Sequence, residues 1–156
     1  MRPVTLLDVN LLMALLTAGH VHHELAHDWF ADQRAHGWAT CPLTENGFVR
    51  IMGQRPRSTI LRPDESVAVL RTFTASGHHR FWSDSLSLTA ERVFQPAMIK
   101  GPRQVTDVYL LGLAKHHGGA LATLDESIQL RAVTGATKAH LVVISAAPGE
   151  STPGDR

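Results

Sequence analysis

Short apolar runs and longer amphipathic stretches alternate along the chain. Val4-Thr5-Leu6-Leu7 is continuously apolar or β-branched and stops on Asp8. A continuous run of this kind predicts a strand buried on both faces of a parallel sheet. Leu11 to Thr17 is predicted as a helix, with Asn10 as N-cap and Gly19 as its stop. Val21 to Ala35 places Val21, Leu25, Ala26, Trp29 and Phe30 on one helical face, and Gly37 ends it. Trp38 to Cys41 predicts a second strand. Pro42 then suits the first turn of a helix carrying Leu43, Phe48, Ile51 and Met52.

The second half repeats the alternation. Gly53 to Pro63 is basic and turn-rich, and a helix follows to about Ala75 with Val67, Leu70 and Phe73 expected inward. Arg80 to Ser83 predicts an edge strand, and Thr89 to Met98 a helix broken by Pro96. Thr106 to His117 predicts a helix capped by Thr106 and ended by Gly118-Gly119. Ala120-Leu121-Ala122-Thr123-Leu124-Asp125 repeats the opening design of an apolar strand followed by an acid. Ser127 to Val133 predicts a short helix, Leu141 to Ile144 the last strand, and Ala147 to Arg156 a disordered tail. Strands alternating with helices imply a three-layer α/β/α sandwich around a central, mainly parallel sheet. No linker divides the chain, so residues 1–146 are expected to form a single domain and 147–156 its tail.

Composition adds little to this frame. The net charge of +1 argues neither for nor against nucleic acid, although twelve arginines against three lysines favour bidentate phosphate contacts. Cys41 is the lone cysteine, which excludes an internal disulfide and fits a reducing compartment. Asp8 and Asn10 interrupt the N-terminal apolar stretch, so it reads as neither a secretory leader nor a membrane span. The expectation is a soluble, cytoplasmic protein.

The candidate chemistry lies in four acids at element ends. Asp8 closes the first strand, Glu45 lies in the first turns of the helix after the second, Asp107 begins the Thr106 helix, and Asp125 follows the Ala120 strand. In a parallel sheet, strand C-termini and the helix N-termini that follow share one edge, where ligands bind. Each acid also has a plainer reading. Glu45 and Asp107 suit the positive end of a helix, typically worth ~0.3–1 kcal/mol, and Asp125 suits a turn or N-cap. Gathered together, four carboxylates repel one another unless a cation joins them. Ligands that are all oxygen select a hard ion, Mg²⁺ or Mn²⁺. Such an ion can activate water against a phosphodiester.

The order of these segments resembles the PIN-domain ribonucleases of the VapC toxin family. The segments that carry it are Leu7-Asp8-Val9-Asn10, Thr44-Glu45-Asn46-Gly47-Phe48-Val49-Arg50, Val105-Thr106-Asp107-Val108-Tyr109-Leu110-Leu111-Gly112-Leu113-Ala114 and Ala122-Thr123-Leu124-Asp125. They span Val4 to about Ile144. The resemblance implies a metal-dependent endoribonuclease, usually a homodimer, held inactive by a cognate antitoxin. It places the family's four acids on Asp8, Glu45, Asp107 and Asp125, with Glu126 adjacent to the last. Asn10 and Thr123 match supporting positions, and Arg50 would contact phosphate or neutralise the acids. Arg55, Arg57, Arg62, Arg80 and Arg103 are further candidates for the RNA backbone, or ordinary surface residues. Phe81 and Trp82 are candidates for base stacking, or core residues of an edge strand.

Two other readings compete. His23-Glu24-Leu25-Ala26-His27 satisfies the H-E-x-x-H pattern of zinc proteases, in which two His ligands one helical turn apart hold Zn²⁺ and the Glu is general base. Phe30 and Gln33 stand where the longer form of that motif needs Gly and a third His, although Glu45 or Glu65 could complete the set. Ten histidines make a chance match easier, and on a helical wheel His23 and His27 lie opposite Leu25, on the expected wet face. A non-enzymatic phosphoacceptor receiver also clusters aspartates on a parallel sheet. It needs paired acids at the first strand and a Lys at a late strand end, whereas only Asp8 stands at the former and Lys138 does not supply the latter.

Overall fold

Thr5–Leu7, all fully buried, forms β1 at the centre of a five-stranded sheet. This computed structural model describes residues 2–145; the predicted tail, 147–156, lies outside the described residues. Trp38–Thr40 forms β2, His79–Phe81 β3, Ala120–Thr123 β4 and Leu141–Val143 β5. The order across the sheet is β3-β2-β1-β4-β5, and every pairing is parallel. Register sets Leu6 beside Ala39 on one side and beside Leu121 on the other.

Val9–Leu16 forms α1, His23–Gln33 α2, Pro42–Met52 α3, Pro63–Thr74 α4 and Val105–His116 α5. Alternation along each strand sends side chains to two cores. Leu7, Trp38 and Ala122 face a core built with α1, α2, α3 and α4, where Leu11, Leu12, Phe30, Phe48 and Leu70 are buried. Leu6, Ala39 and Leu121 face a second core built with α5, Trp82, Phe94 and Val133. The result is the expected three-layer sandwich, with its sheet wholly parallel. Among the described residues no helix is long and apolar enough to cross a membrane.

Gly47 and Gly112 are among the glycines that permit close packing a side chain would block. A Cβ at Gly47 of α3 would lie 2.8 Å from Val9 Cγ2 of α1, and one at Gly112 of α5 would lie 2.5 Å from Phe94 Cε1. The first brings the opening turns of α1 and α3 together, and the second seats Phe94 against α5.

Several local expectations change. Asp8, not Asn10, is the N-cap of α1, and α5 begins at Val105 after Gln104, without a side-chain cap from Thr106. The predicted 89–98 helix is a series of turns: Phe94 bridges Val133 in the antiparallel sense, and Pro96–Met98 is one 3₁₀ turn. The Gln95 N–H donates to the Ala132 carbonyl and the Thr134 N–H to the Val93 carbonyl around that bridge, and the Phe94 ring packs on Gly112, so the segment follows the α5 surface instead of coiling. The 127–133 helix likewise reduces to a 3₁₀ turn at Leu130–Ala132. Val67 is 40% exposed instead of buried, because the inward face of α4 is carried by Ser66 and Leu70.

Candidate active site

Successive strands step outward from β1 to β2 and β3, and the chain then returns to add β4 and β5 on the other flank. The order therefore reverses between β1 and β4, and open parallel sheets bind ligands at that reversal, outside the strand C-termini. Asp8 leaves β1 there and Thr123 ends β4. The Thr123 hydroxyl donates to Asp8 Oδ2 at 2.7 Å, and the Val9 N–H donates to Asp8 Oδ1 at 2.7 Å. The Asp8 N–H donates to the Ala122 carbonyl at 3.0 Å and its own carbonyl accepts the first helical bond from Leu12. Asp8 is thus held at both backbone and side chain while 3% exposed. Burial pushes its carboxyl above the usual range, against the pull of Thr123 and Val9, and the charge of Asp125 adds to the rise.

Asp107 and Asp125 complete a group of three acids. Burial raises the Asp107 carboxyl to about 7, helped by the charges of Asp8 and Asp125 and by a hydrogen bond with Asp125. Asp125 moves the opposite way, because the Ser127 hydroxyl and N–H both donate to its Oδ1 at 2.7 Å, and Asp107 lowers it further. The neighbouring acids thus shift in opposite directions, Asp107 up and Asp125 down. Glu126 is exposed, so Asp125 is the acid that α5 faces.

Glu45 shares no hydrogen bond with these three among the described residues. Its Oε2 accepts from the buried Thr40 hydroxyl at 2.7 Å, and Thr40 Oγ1 lies 2.7 Å from His79 Nε2. A hydroxyl has one proton, and an ionised carboxylate can only accept, so His79 Nε2–H donates to Thr40 and Thr40 donates to Glu45. Burial lowers the His79 pKa, opposed by the charge of Glu45. Glu45 also borders a cleft of about 540 Å³ between α3 and α4, with Asn46, Val49, Leu70 and Arg71.

The supporting residues divide. Asn10 Oδ1 accepts from the Leu124 N–H at 3.3 Å, tying α1 to the turn after β4, and the Asp125 N–H donates to Thr123 Oγ1 at 3.0 Å. Arg50 is exposed and, among the described residues, pairs with none of the acids. Arg62 is bound to Asp64 and Glu65 at 3.0 and 3.4 Å, and Arg55 reaches Thr17 Oγ1 at 3.4 Å. Arg57, Arg80 and Arg103 are exposed. Trp82 is buried and stacks on His117 at 4.8 Å, whereas Phe81 is 57% exposed at the C-terminal end of β3, level with Thr40. Sequence reasoning missed Thr40, His79 and Ser127. The available signal for Thr40 was its place as a threonine closing an apolar strand, the place Thr123 also holds.

His27 is exposed and His23 half-buried, and both rings are engaged by backbone. Nδ1 of His23 donates to the Ala14 carbonyl at 2.8 Å and Nε2 of His27 to the Leu15 carbonyl at 3.0 Å. These carbonyls belong to the last turn of α1, where intrahelical partners run out. The H-E-x-x-H pattern is therefore a pair of side-chain caps. Among the described residues neither Glu45 nor Glu65 joins these rings, since they bind Thr40 and Arg62.

The donor set at Asp8, Asp107 and Asp125 is all oxygen and carries excess negative charge without a Lys or Arg ion pair among the described residues. The three acids are coupled, yet among the described residues no three such side chains are drawn into closed ligating geometry. Carboxylates such as Asp8 and Asp107, raised by burial and by neighbouring acids and lacking a protein cation, fit a hard divalent ion.

Residues 5–134 match the PIN domain family. The chain is 43% identical over 139 residues to Ribonuclease VapC44 of Mycobacterium tuberculosis, covering 89% of this chain and 98% of that protein. It is 39% identical over 124 residues to Ribonuclease VapC39 of the same organism, covering 79% and 89%. The crystal structure of Mycobacterium tuberculosis VapC20, a Sarcin-Ricin loop cleaving toxin, superposes with a TM-score of 0.56 at 12% identity, covering 77% of this chain and 87% of that one.

Proposed function

The chain belongs to the VapC family of PIN-domain ribonuclease toxins, and we propose that it is a Mg²⁺- or Mn²⁺-dependent endoribonuclease whose site is Asp8, Glu45, Asp107 and Asp125. The observation that carries the reading is the charge-coupled trio of Asp8, Asp107 and Asp125 at the strand-order reversal. Asp8, Asp107 and Asp125 would hold the ion, with Glu45 approaching from α3. When bound, such an ion lowers the pKa of water and offsets charge on a phosphodiester.

The chain's own groups prepare the site. Thr123 and the Val9 N–H fix both Asp8 oxygens in one rotamer, and Ser127 fixes Asp125. Asn10 prevents the β4 turn from drifting away from α1. Without a cation, burial and the charges of Asp8 and Asp125 raise the Asp107 carboxyl to about 7. Exposed Arg50, Arg80 and Arg103 offer charge to an RNA backbone. We read residues 1–146 as one nuclease domain, since β1 and β5 bring both ends into one sheet. A cognate antitoxin and a homodimer accompany the same reading.

Asp8→Asn is expected to abolish RNA cleavage while preserving the circular dichroism spectrum of the parent. Full, metal-dependent cleavage by that variant would overturn the site assignment. Sequencing RNA 5′ ends after brief induction would identify the substrate.

A further inference from the structure

Glu45 is held by a hydrogen-bond chain that runs away from the other acids into the sheet. We propose that Thr40 and His79 are positioning residues for Glu45: the chain His79–Thr40–Glu45 fixes which carboxylate oxygen faces the metal site. The inference rests on Glu45 being a metal ligand, as proposed above.

Three observations support it. First, the chain has a single polarity. Glu45 Oε2 takes the one Thr40 proton, so the Thr40 oxygen is left as acceptor for His79 Nε2–H, with both separations at 2.7 Å. Glu45 Oε1 is then the oxygen with no donor among the described residues, and the one available to a cation.

Second, the inner members cannot wander. Thr40 is fully buried as the last residue of β2. The His79 ring packs at 4.6 Å from Trp38, which is itself pinned by donating from Nε1 to the Gly77 carbonyl at 2.9 Å. Parallel register sets His79 beside Trp38, and strand alternation keeps Trp38, Thr40 and His79 on one face of the sheet. The edge strand thereby gains a reason to exist beyond its own three residues.

Third, the arrangement repeats the one at Asp8. There a threonine closing β4 donates to a carboxylate across a strand boundary, also at 2.7 Å. Thr40 closes β2 and donates at the same distance to Glu45, five residues on in α3. Carboxylate ligands held by such outer partners commonly lose about 10–100-fold in metal affinity when the partner is removed.

The test is Mn²⁺ binding to the full chain without RNA, followed by electron paramagnetic resonance of free Mn²⁺. Thr40→Val, which keeps shape and removes the hydroxyl, is expected to weaken Mn²⁺ about 10-fold. His79→Gln keeps a donor and should bind like the parent. His79→Met has similar length without a donor and should weaken binding. Combining Thr40→Val with His79→Met should be no worse than Thr40→Val alone, because His79 acts only through Thr40. Equal affinity for His79→Gln and His79→Met, or additive losses in the double variant, would overturn the inference. Asp8→Asn serves as the control. If it also leaves Mn²⁺ binding intact, the proposed metal site itself fails; if it abolishes binding while the Thr40 and His79 variants do not, only the positioning role fails. Thermal melts confirm that each variant is folded, and Thr40→Val carries the comparison where a His79 variant is not.

Discussion

Thr123 Oγ1 donates to Asp8 Oδ2 at 2.7 Å, joining the ends of β4 and β1 across 115 residues of sequence. The bond is buried and spans the one gap in the sheet where strand order reverses. Thr123→Val removes the donor and leaves a buried carboxylate oxygen short of a partner, a loss of about 1–3 kcal/mol. Thr123→Ser retains the donor. Urea denaturation should rank the parent and Thr123→Ser above Thr123→Val, and RNA cleavage should follow the same order.

Asp107 makes metal-free stability depend on pH. Its folded pKa is about 7 against an ordinary 3.8, so between these values the folded state binds more protons than the unfolded one. Stability is then fully present below about 3.8 and falls as pH rises toward 7 and just beyond. Full shielding would make this shift worth about 4 kcal/mol, but Asp107 is half-buried and solvent screening reduces it to about 1–2 kcal/mol. In chelator, Asp107→Asn should flatten the pH dependence of the melting temperature and exceed the parent at pH 7, while cleaving no RNA. A variant as pH-dependent as the parent would contradict the assignment.

The histidine pair should behave as structure, not as a zinc site. His23→Ala orphans the Ala14 carbonyl and His27→Ala the Leu15 carbonyl at the end of α1, each expected to cost about 1 kcal/mol. Chemical denaturation checks the loss. Zinc analysis of purified parent protein should find no stoichiometric metal bound through these residues.

Gly47 sets how closely α3 packs against the first turn of α1. Gly47→Ala would force a Cβ to 2.8 Å from Val9 Cγ2, and overpacking of this kind costs about 1–3 kcal/mol, more than the ~1 kcal/mol that alanine adds to a helix. Val9→Ala removes the obstructing methyl. Gly47→Ala should therefore be less stable and less active than the parent, and Val9→Ala with Gly47→Ala should recover much of the stability in thermal melts.

The alternation of apolar runs and amphipathic stretches, each punctuated by glycine, proline or an acid, determined the layer architecture from sequence. Every strand and each of the five principal helices coincides with such a segment, because local periodicity reports which face is buried. The candidate acids were legible for a related reason: Asp8 stands within an apolar run, where an unpartnered carboxylate is costly. What only the tertiary structure decided depended on partners distant in sequence. The 89–98 segment failed as a helix because Phe94 answers to Val133 and Gly112. His23 and His27 matched a zinc motif until α1 supplied two carbonyls for them. Strand order, which sets Asp8 beside Thr123 and separates Glu45 onto Thr40 and His79, is a matter of long-range pairing and leaves no local pattern to read.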